Sequence, residues 1–248
     1  MRFLGGGSGY AIHLVDGKEV YDKSKDNDLP YEVEHMYPDY SLYPSETGFY
    51  KPLKEQKCFG FLSRGCPRGC EFCHVACKEG KKSYKVADLE NFWKGQGNIV
   101  LCDPNILACK EWENLLTQLA DSKALVDFNQ GIGVRLATEE KIDILNKVRT
   151  SNIHLAWDKM DKDLTEDFKR FKKYFKRKTG TMVYVLVNFG TSIEEDLYRF
   201  YTLRDLGFGP YCMVYDKQHA DDVYRDMQRW VNHKAIFKTV KRFEDYKS

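Results

Sequence analysis

Five of the eight cysteines in this chain, Cys58, Cys66, Cys70, Cys73 and Cys77, fall within twenty residues. Three of them share the spacing Cys-x3-Cys-x2-Cys in the run Gly60-Phe61-Leu62-Ser63-Arg64-Gly65-Cys66-Pro67-Arg68-Gly69-Cys70-Glu71-Phe72-Cys73-His74. Thiolates this close on a loop bearing Gly and Pro can converge on one small inorganic centre. Tetrahedral zinc asks for four ligands, usually in two separated pairs, and there is no second Cys-x2-Cys here. Cys77 or His74 can supply a fourth ligand from the same loop, so spacing alone leaves zinc open beside iron–sulfur. Polar Arg and Gly neighbours argue against plain structural thiols in an apolar core.

The elements that must position this loop show in the periodicity. Apolar, β-prone runs stand at 58–63, 98–102, 124–128, 153–157, 182–187 and 210–215. Helical patterns alternate with them at 86–94, 110–121, 138–149, 163–177, 192–206 and 219–231. In the fifth helix Ser192 caps with Glu195 three residues on, and Gly207 stops it. Six strand-then-helix units predict an α/β fold with a parallel sheet, since parallel neighbours need crossover connections. An open doubly wound sheet and a curled (β/α)6 partial barrel both satisfy that pattern. In either, the functional edge is the C-terminal end of the strands, and the cysteine loop follows the first strand. Residues 1–57 hold seven of the sixteen tyrosines and Pro38, Pro44 and Pro52, which predicts an extended aromatic arm before a domain over 58–231. Residues 232–248 read as a short polar tail.

Composition bounds the answer. Lys plus Arg is 39 and Asp plus Glu is 37, a net +2 that excludes a strongly basic nucleic-acid coat and an acidic tail protein. With 42% hydrophobic residues the 248-residue chain can bury a core. Its longest apolar stretch, around Met182–Val187, is too short to span a bilayer, and MRFLGGGSGY is no signal peptide. A soluble cytoplasmic protein is expected, and its cysteines are read as thiols or metal ligands before disulfides. Seven of the ten residues Lys169–Lys178 are basic, but Phe168, Phe171 and Phe175 recur among them at helical spacing. The run is therefore read as the solvated face of an outer helix, in preference to a nucleic-acid footprint.

Cys66-x3-Cys70-x2-Cys73, with aromatic Phe72 before the last cysteine, resembles the signature of the radical S-adenosylmethionine (radical SAM) superfamily. The likeness spans about residues 58–215. A narrower one, over PDYSLYP and GFLSRGCPRGCEFC, is to bacterial and phage Fe–S oxidoreductase-type members, here without the N-terminal cobalamin-binding-like domain of their longer forms. GGGSGY reads as its last remnant. The resemblance implies a (β/α)6 partial TIM barrel and a [4Fe-4S] cluster on Cys66, Cys70 and Cys73 whose fourth iron S-adenosylmethionine chelates. It implies reductive cleavage to methionine and a 5′-deoxyadenosyl radical that abstracts hydrogen from a substrate, with an electron donor such as flavodoxin or ferredoxin. Cys77 is then no ligand, because a fourth thiolate closes the site. Phe72 would stack beside the adenine. Asp103 or Asn105 would meet the cofactor's amino group in place of the family's Gly-Gly-Glu pattern. Arg135 can clamp the carboxylate, with Gln130 on the ribose, or form a surface salt bridge, and Asp158 and Asn188 stand at strand ends where ribose or substrate contacts lie, or serve there as plain caps. The competing reading is a non-catalytic Cys-loop protein, regulatory or a partner subunit, holding zinc or an Fe–S cluster. Fold does not choose the substrate.

Overall fold

Parallel neighbours in a sheet need crossover connections, and alternating strands and helices supply them in this chain. The computed structural model describes residues 12–15, 18–21, 30–177 and 180–247. The GGGSGY segment lies outside them. Six parallel strands lie in the order Gly209–Val214, Gly180–Val187, Thr150–Ala156, Leu125–Ile132, Asn98–Leu101 and Lys57–Gly60. The chain forms two compact units, Met1–Gln130 and Gly131–Ser248.

The first unit opens on an antiparallel pair, β1 (Ile12–Val15) and β2 (Lys18–Tyr21). One-turn helices α1 (Tyr31–Glu34) and α2 (Pro44–Thr47) follow, where an extended arm was expected. Pro44 sits in the first turn of α2, where a missing N–H costs nothing, so proline starts this helix instead of forbidding it. Then come β3 (Lys57–Gly60), β4 (Ser63–Arg64), α3 (Val75–Glu79), β5 (Tyr84–Lys85), β6 (Asn98–Leu101), α4 (Trp112–Ser122) and β7 (Leu125–Ile132). Register pairs Cys58 with Ile99 and Ile99 with Val126, and all three are buried. The alternate row, Phe59, Val100 and Asp127, is half-buried. Helix α4 buries Leu115, Leu116 and Leu119, the spacing of one helical face.

Strand β3 lies at the end of this order, and an edge strand must be covered. Tyr40 does this: its hydroxyl accepts from Phe59 N (3.1 Å) and donates toward Phe92 O (2.8 Å) and Phe59 O (3.0 Å). The helix expected over 86–94 is only a 3-10 turn, Leu89–Asn91. Asp88 and Asn91 form a capping box, but the chain then turns so that the Phe92 ring fills the gap over Gly60. A Cβ on Gly60 would stand 2.3 Å from that ring. Tertiary packing overrides the local pattern.

The second unit carries α5 (Glu139–Leu145), β8 (Thr150–Ala156), α6 (Thr165–Tyr174), β9 (Gly180–Val187), α7 (Ile193–Asp205), β10 (Gly209–Val214), α8 (Asp222–Asn232) and α9 (Lys234–Thr239). Strands β8, β9 and β10 pair in parallel. Phe168 and Phe171 of α6 are buried while Lys169, Lys172 and Lys173 are exposed, as the apolar stripe required. The expected polar tail holds α9, whose Phe237 is buried and stacks edge-on to Trp230 at 4.8 Å. His233 caps that helix, a stop and restart that the charged sequence hides. Among the described residues no helix is long and apolar enough to cross a membrane.

Tyr40→Phe removes one hydroxyl and leaves Phe59 N and Phe92 O without that partner. A loss of about 1–3 kcal/mol is expected, the cost of an unsatisfied buried polar group, read from the urea midpoint at unchanged m-value.

Candidate metal and cofactor site

Three thiols can serve one centre only if the chain between them is held at both ends. Strands β4 and β5 pair antiparallel, Ser63 with Lys85 and Arg64 with Tyr84, and so close the loop that carries Cys66, Cys70 and Cys73. Inside the hairpin, Gly65 N donates to Glu79 Oε2 (3.0 Å) and Cys66 N to Gly80 O (3.2 Å). Gly65 has φ +75°, and a Cβ there would lie 2.2 Å from Lys82 O, so only glycine fits. A turn bond from Cys73 N to Cys70 O (3.0 Å) links the last two cysteines, and α3 begins just after them.

Below the loop lies Asp103, 3% exposed. Its Oδ1 accepts from Leu62 N (2.8 Å), and its Oδ2 from Ser63 N (2.6 Å) and the Ser63 hydroxyl (2.5 Å). Sequence reading turned this carboxylate toward the cofactor's amino group. The structure turns it to the root of the thiol loop instead. Burial pushes its pKa up from 3.8 to about 7, against the three donors, which favour the anion. Asn105 is buried at the start of the turn Ile106–Ala108, and Phe72 is half-buried. Gln130 is exposed near the end of β7.

A cavity of about 840 Å³ opens beside the loop within this unit, lined by Phe59, Phe61, Arg64, Tyr84, Phe92 and Cys102 among others. That volume is within the range of small-molecule sites. Arg64 stacks over Phe61 at 4.6 Å and stands 3.8 Å from both Glu34 and Glu79. Asp127 was passed over by sequence reading as part of an apolar run. It occupies the half-buried row with Phe59 and Val100, and its Oδ1 has no hydrogen-bond partner. The signal available was a lone carboxylate in mid-strand.

In the second unit, Arg135 forks onto Asp161, at 3.1 Å and 2.5 Å. The bidentate geometry expected of it is present, with a protein carboxylate as the partner. Asp158 Oδ1 accepts from Leu186 N (3.2 Å), and Asn188, at φ +62°, donates to Tyr215 O (3.0 Å). Both tie strand-end backbone. Sequence reading also missed Arg199 and Asp196, a fully buried pair on α7. Arg199 donates to Trp157 O (2.5 Å) and Leu186 O (2.9 Å), joining the ends of β8 and β9.

No cysteine whose side chain is described is in a disulfide. Burial pushes Cys58 up to about 12 and Cys109 to about 11, and raises Cys102 and Cys212 as well, so these four stay protonated and inert. Cys66, Cys70 and Cys73 are half-exposed. Among the described residues no three Cys, His, Asp or Glu side chains are gathered to hold a metal ion. Thiolates brought together repel unless a cation lies between them, so a ligand set on one loop closes as metal binds. The donor set itself, three soft sulfurs on one loop closed at its neck by Glu79 and Gly80, fits an iron–sulfur cluster.

No protein-family model matches the chain, and no curated protein matches it. Its fold is similar to that of the radical S-adenosylmethionine methyltransferase TsrM from Kitasatospora setae, solved with cobalamin and a [4Fe-4S] cluster bound. The TM-score is 0.55 at 14% identity, over 65% of this chain and 37% of that one. With tryptophan substrate and the analogue aza-SAM bound, the same enzyme gives 0.54 at 14% identity, over 68% and 37%. The chain thus spans little more than a third of that enzyme's length. What is shared is the fold, an α/β sheet of six parallel strands.

The raised acid gives a pH signature. Between pH 3.8 and about 7 the folded chain binds the Asp103 proton more tightly than the unfolded chain does. Its stabilising contribution is therefore complete below pH 3.8 and lost as pH rises through about 7. Asp103→Asn carries no such charge, so the stability difference, wild type minus variant, should fall by up to about 4 kcal/mol from pH 4 to pH 8. Urea unfolding across that range measures it. A flat difference would show that the carboxyl titrates normally.

Proposed function

We propose that the protein is a radical SAM enzyme whose Cys66, Cys70 and Cys73 hold a [4Fe-4S] cluster. The observation that carries the reading is the place of Cys-x3-Cys-x2-Cys directly after the first strand of a six-stranded parallel sheet, in a fold like that of such an enzyme. Held there by the three cysteines, a cluster would supply the single electron that reductive cleavage of S-adenosylmethionine to methionine and a 5′-deoxyadenosyl radical requires. The chain's own residues hold and orient. Glu79 and Gly80 fix the loop through Gly65 N and Cys66 N. Phe72 offers an aromatic face to the adenine, and Asn105 and Gln130 are the side chains for the amino group and ribose. Arg135 would have to release Asp161 to grip the cofactor carboxylate. Asp158 and Asn188 hold strand-end backbone in the second unit, through Leu186 N and Tyr215 O. A low-potential donor such as flavodoxin or ferredoxin delivers the electron. Methyl transfer, cobalamin and tryptophan belong to the structural neighbour and are not carried over at this coverage.

Anaerobic reconstitution with iron and sulfide should give a brown protein with about four irons per chain. Reduction in the presence of S-adenosylmethionine should then release 5′-deoxyadenosine. Cys66→Ala, Cys70→Ala and Cys73→Ala should each lose both properties, while Cys58, Cys102, Cys109 and Cys212 variants keep them. Stoichiometric zinc with no iron uptake would overturn the reading in favour of a non-catalytic metal-binding protein.

A further inference from the structure

We propose that Asp103 is the positioning residue of the thiol loop: it touches no cofactor and acts by fixing Leu62 and Ser63, from which the loop departs. This deepens the cluster reading above and rests on it for the purpose of the loop, though not for its geometry. The last bond of the β3–β6 pairing runs from Cys102 N to Gly60 O (2.9 Å). Beyond it the two chains part, and nothing in the sheet ladder dictates where residues 61–64 go. Asp103, one residue past that bond, replaces the ladder. One carboxylate receives two successive backbone N–H groups and a hydroxyl, from Leu62 N, Ser63 N and Ser63 Oγ. Leu62 and Ser63 are both 0% exposed, so no solvent competes for these donors. Ser63 then begins β4, which pairs with β5 and closes the loop, and Cys66 follows only three residues later.

Across the neck of the loop, Glu79 and Gly80 on the returning arm accept from Gly65 N and Cys66 N. Asp103 therefore supplies the anchor on the sheet side, and the hairpin supplies the other. Both Asp103 oxygens are engaged with this chain, and the side chain is buried, which leaves it no path to a ligand in the cavity. An Asn at 103 keeps the volume but turns a donor toward one of two N–H groups, so at least one bond is lost. An Ala at 63 leaves both N–H bonds and removes only the hydroxyl.

The test uses the full chain without metal, anaerobic and reduced. Alkylation of each cysteine by N-ethylmaleimide is followed by peptide mass spectrometry in wild type, Asp103→Asn and Ser63→Ala. Loss of one such bond should speed alkylation of Cys66, Cys70 and Cys73 by about fivefold or more in Asp103→Asn, and by less in Ser63→Ala. Buried Cys58, Cys109 and Cys212 serve as internal controls and should stay as protected as in wild type. Iron uptake on reconstitution should fall in the same order. Unchanged loop rates in both variants overturn the proposal. So does a parallel rise at the buried cysteines in both, which would mean that Asp103 serves only global stability. If Asp103→Asn does not fold, Ser63→Ala decides by the same criterion. Should wild type take up no iron, the cluster reading fails while the alkylation rates still decide whether Asp103 holds the loop.

Discussion

A buried carboxylate beneath two backbone N–H groups is the interaction on which the first unit's site depends. Parallel strands end without a turn of their own, since the chain must leave toward a crossover. Where β3 leaves, an uncontrolled loop would scatter Cys66, Cys70 and Cys73, and entropy favours that scatter. Asp103 counters it at one point with three short bonds to Leu62 and Ser63. The desolvation that such a charge meets is real, and it wins over the donors, which is why the acid titrates near 7 and not below 4. An interior position that costs this much persists where it fixes geometry that apolar packing cannot fix.

The second unit solves the same problem with a different pair. Arg199 and Asp196, both 0% exposed, sit one helical turn apart on α7, and the guanidinium reaches Trp157 O and Leu186 O at the ends of β8 and β9. Thr191 Oγ1 donates to Asp196 (2.7 Å), while burial raises that acid. Satisfaction is incomplete: Arg199 Nε, Asp196 Oδ2 and Trp157 Nε1 have no hydrogen-bond partner. Removing either charge strands the other in a dry interior, which typically costs about 3–5 kcal/mol, while replacing both with apolar residues of like volume costs far less. The pair is thus a device for strand-end geometry first and for stability second.

The sequence made the repeating units legible because hydrophobic alternation and helical spacing survive in almost every one. All six parallel strands overlap their predicted runs, and so do five of the six helices. The 86–94 segment failed because Phe92 is drawn to Gly60, a contact between residues 32 positions apart that no local pattern shows. Helix α9 was hidden because Phe237 and Trp230 face inward from a stretch that reads as charged. Cysteine spacing pointed to the loop directly, since ligand geometry is written in short separations. Partners were not legible in that way. Asp103 and Arg135 were chosen for lying just past a strand, and that rule places a residue at the edge without saying which way its oxygens or guanidinium turn. Asp103 turned to Leu62 and Ser63, and Arg135 to Asp161. Asp-Pro-Asn in a loop looks the same whether it faces a ligand or a backbone.

Burial separates the two kinds of thiol in this chain more sharply than spacing does. Cys58, Cys109 and Cys212 are at most 1% exposed, and apolar surroundings hold them protonated, so they pack as small hydrophobes. The loop cysteines are half-exposed and stand where backbone N–H groups, Gly65 N and Cys66 N, are already taken by Glu79 and Gly80. Those two donors hold the shape of the loop. On the proposed reading the frame, tied at Gly65 and Cys66, limits where the three sulfurs can meet.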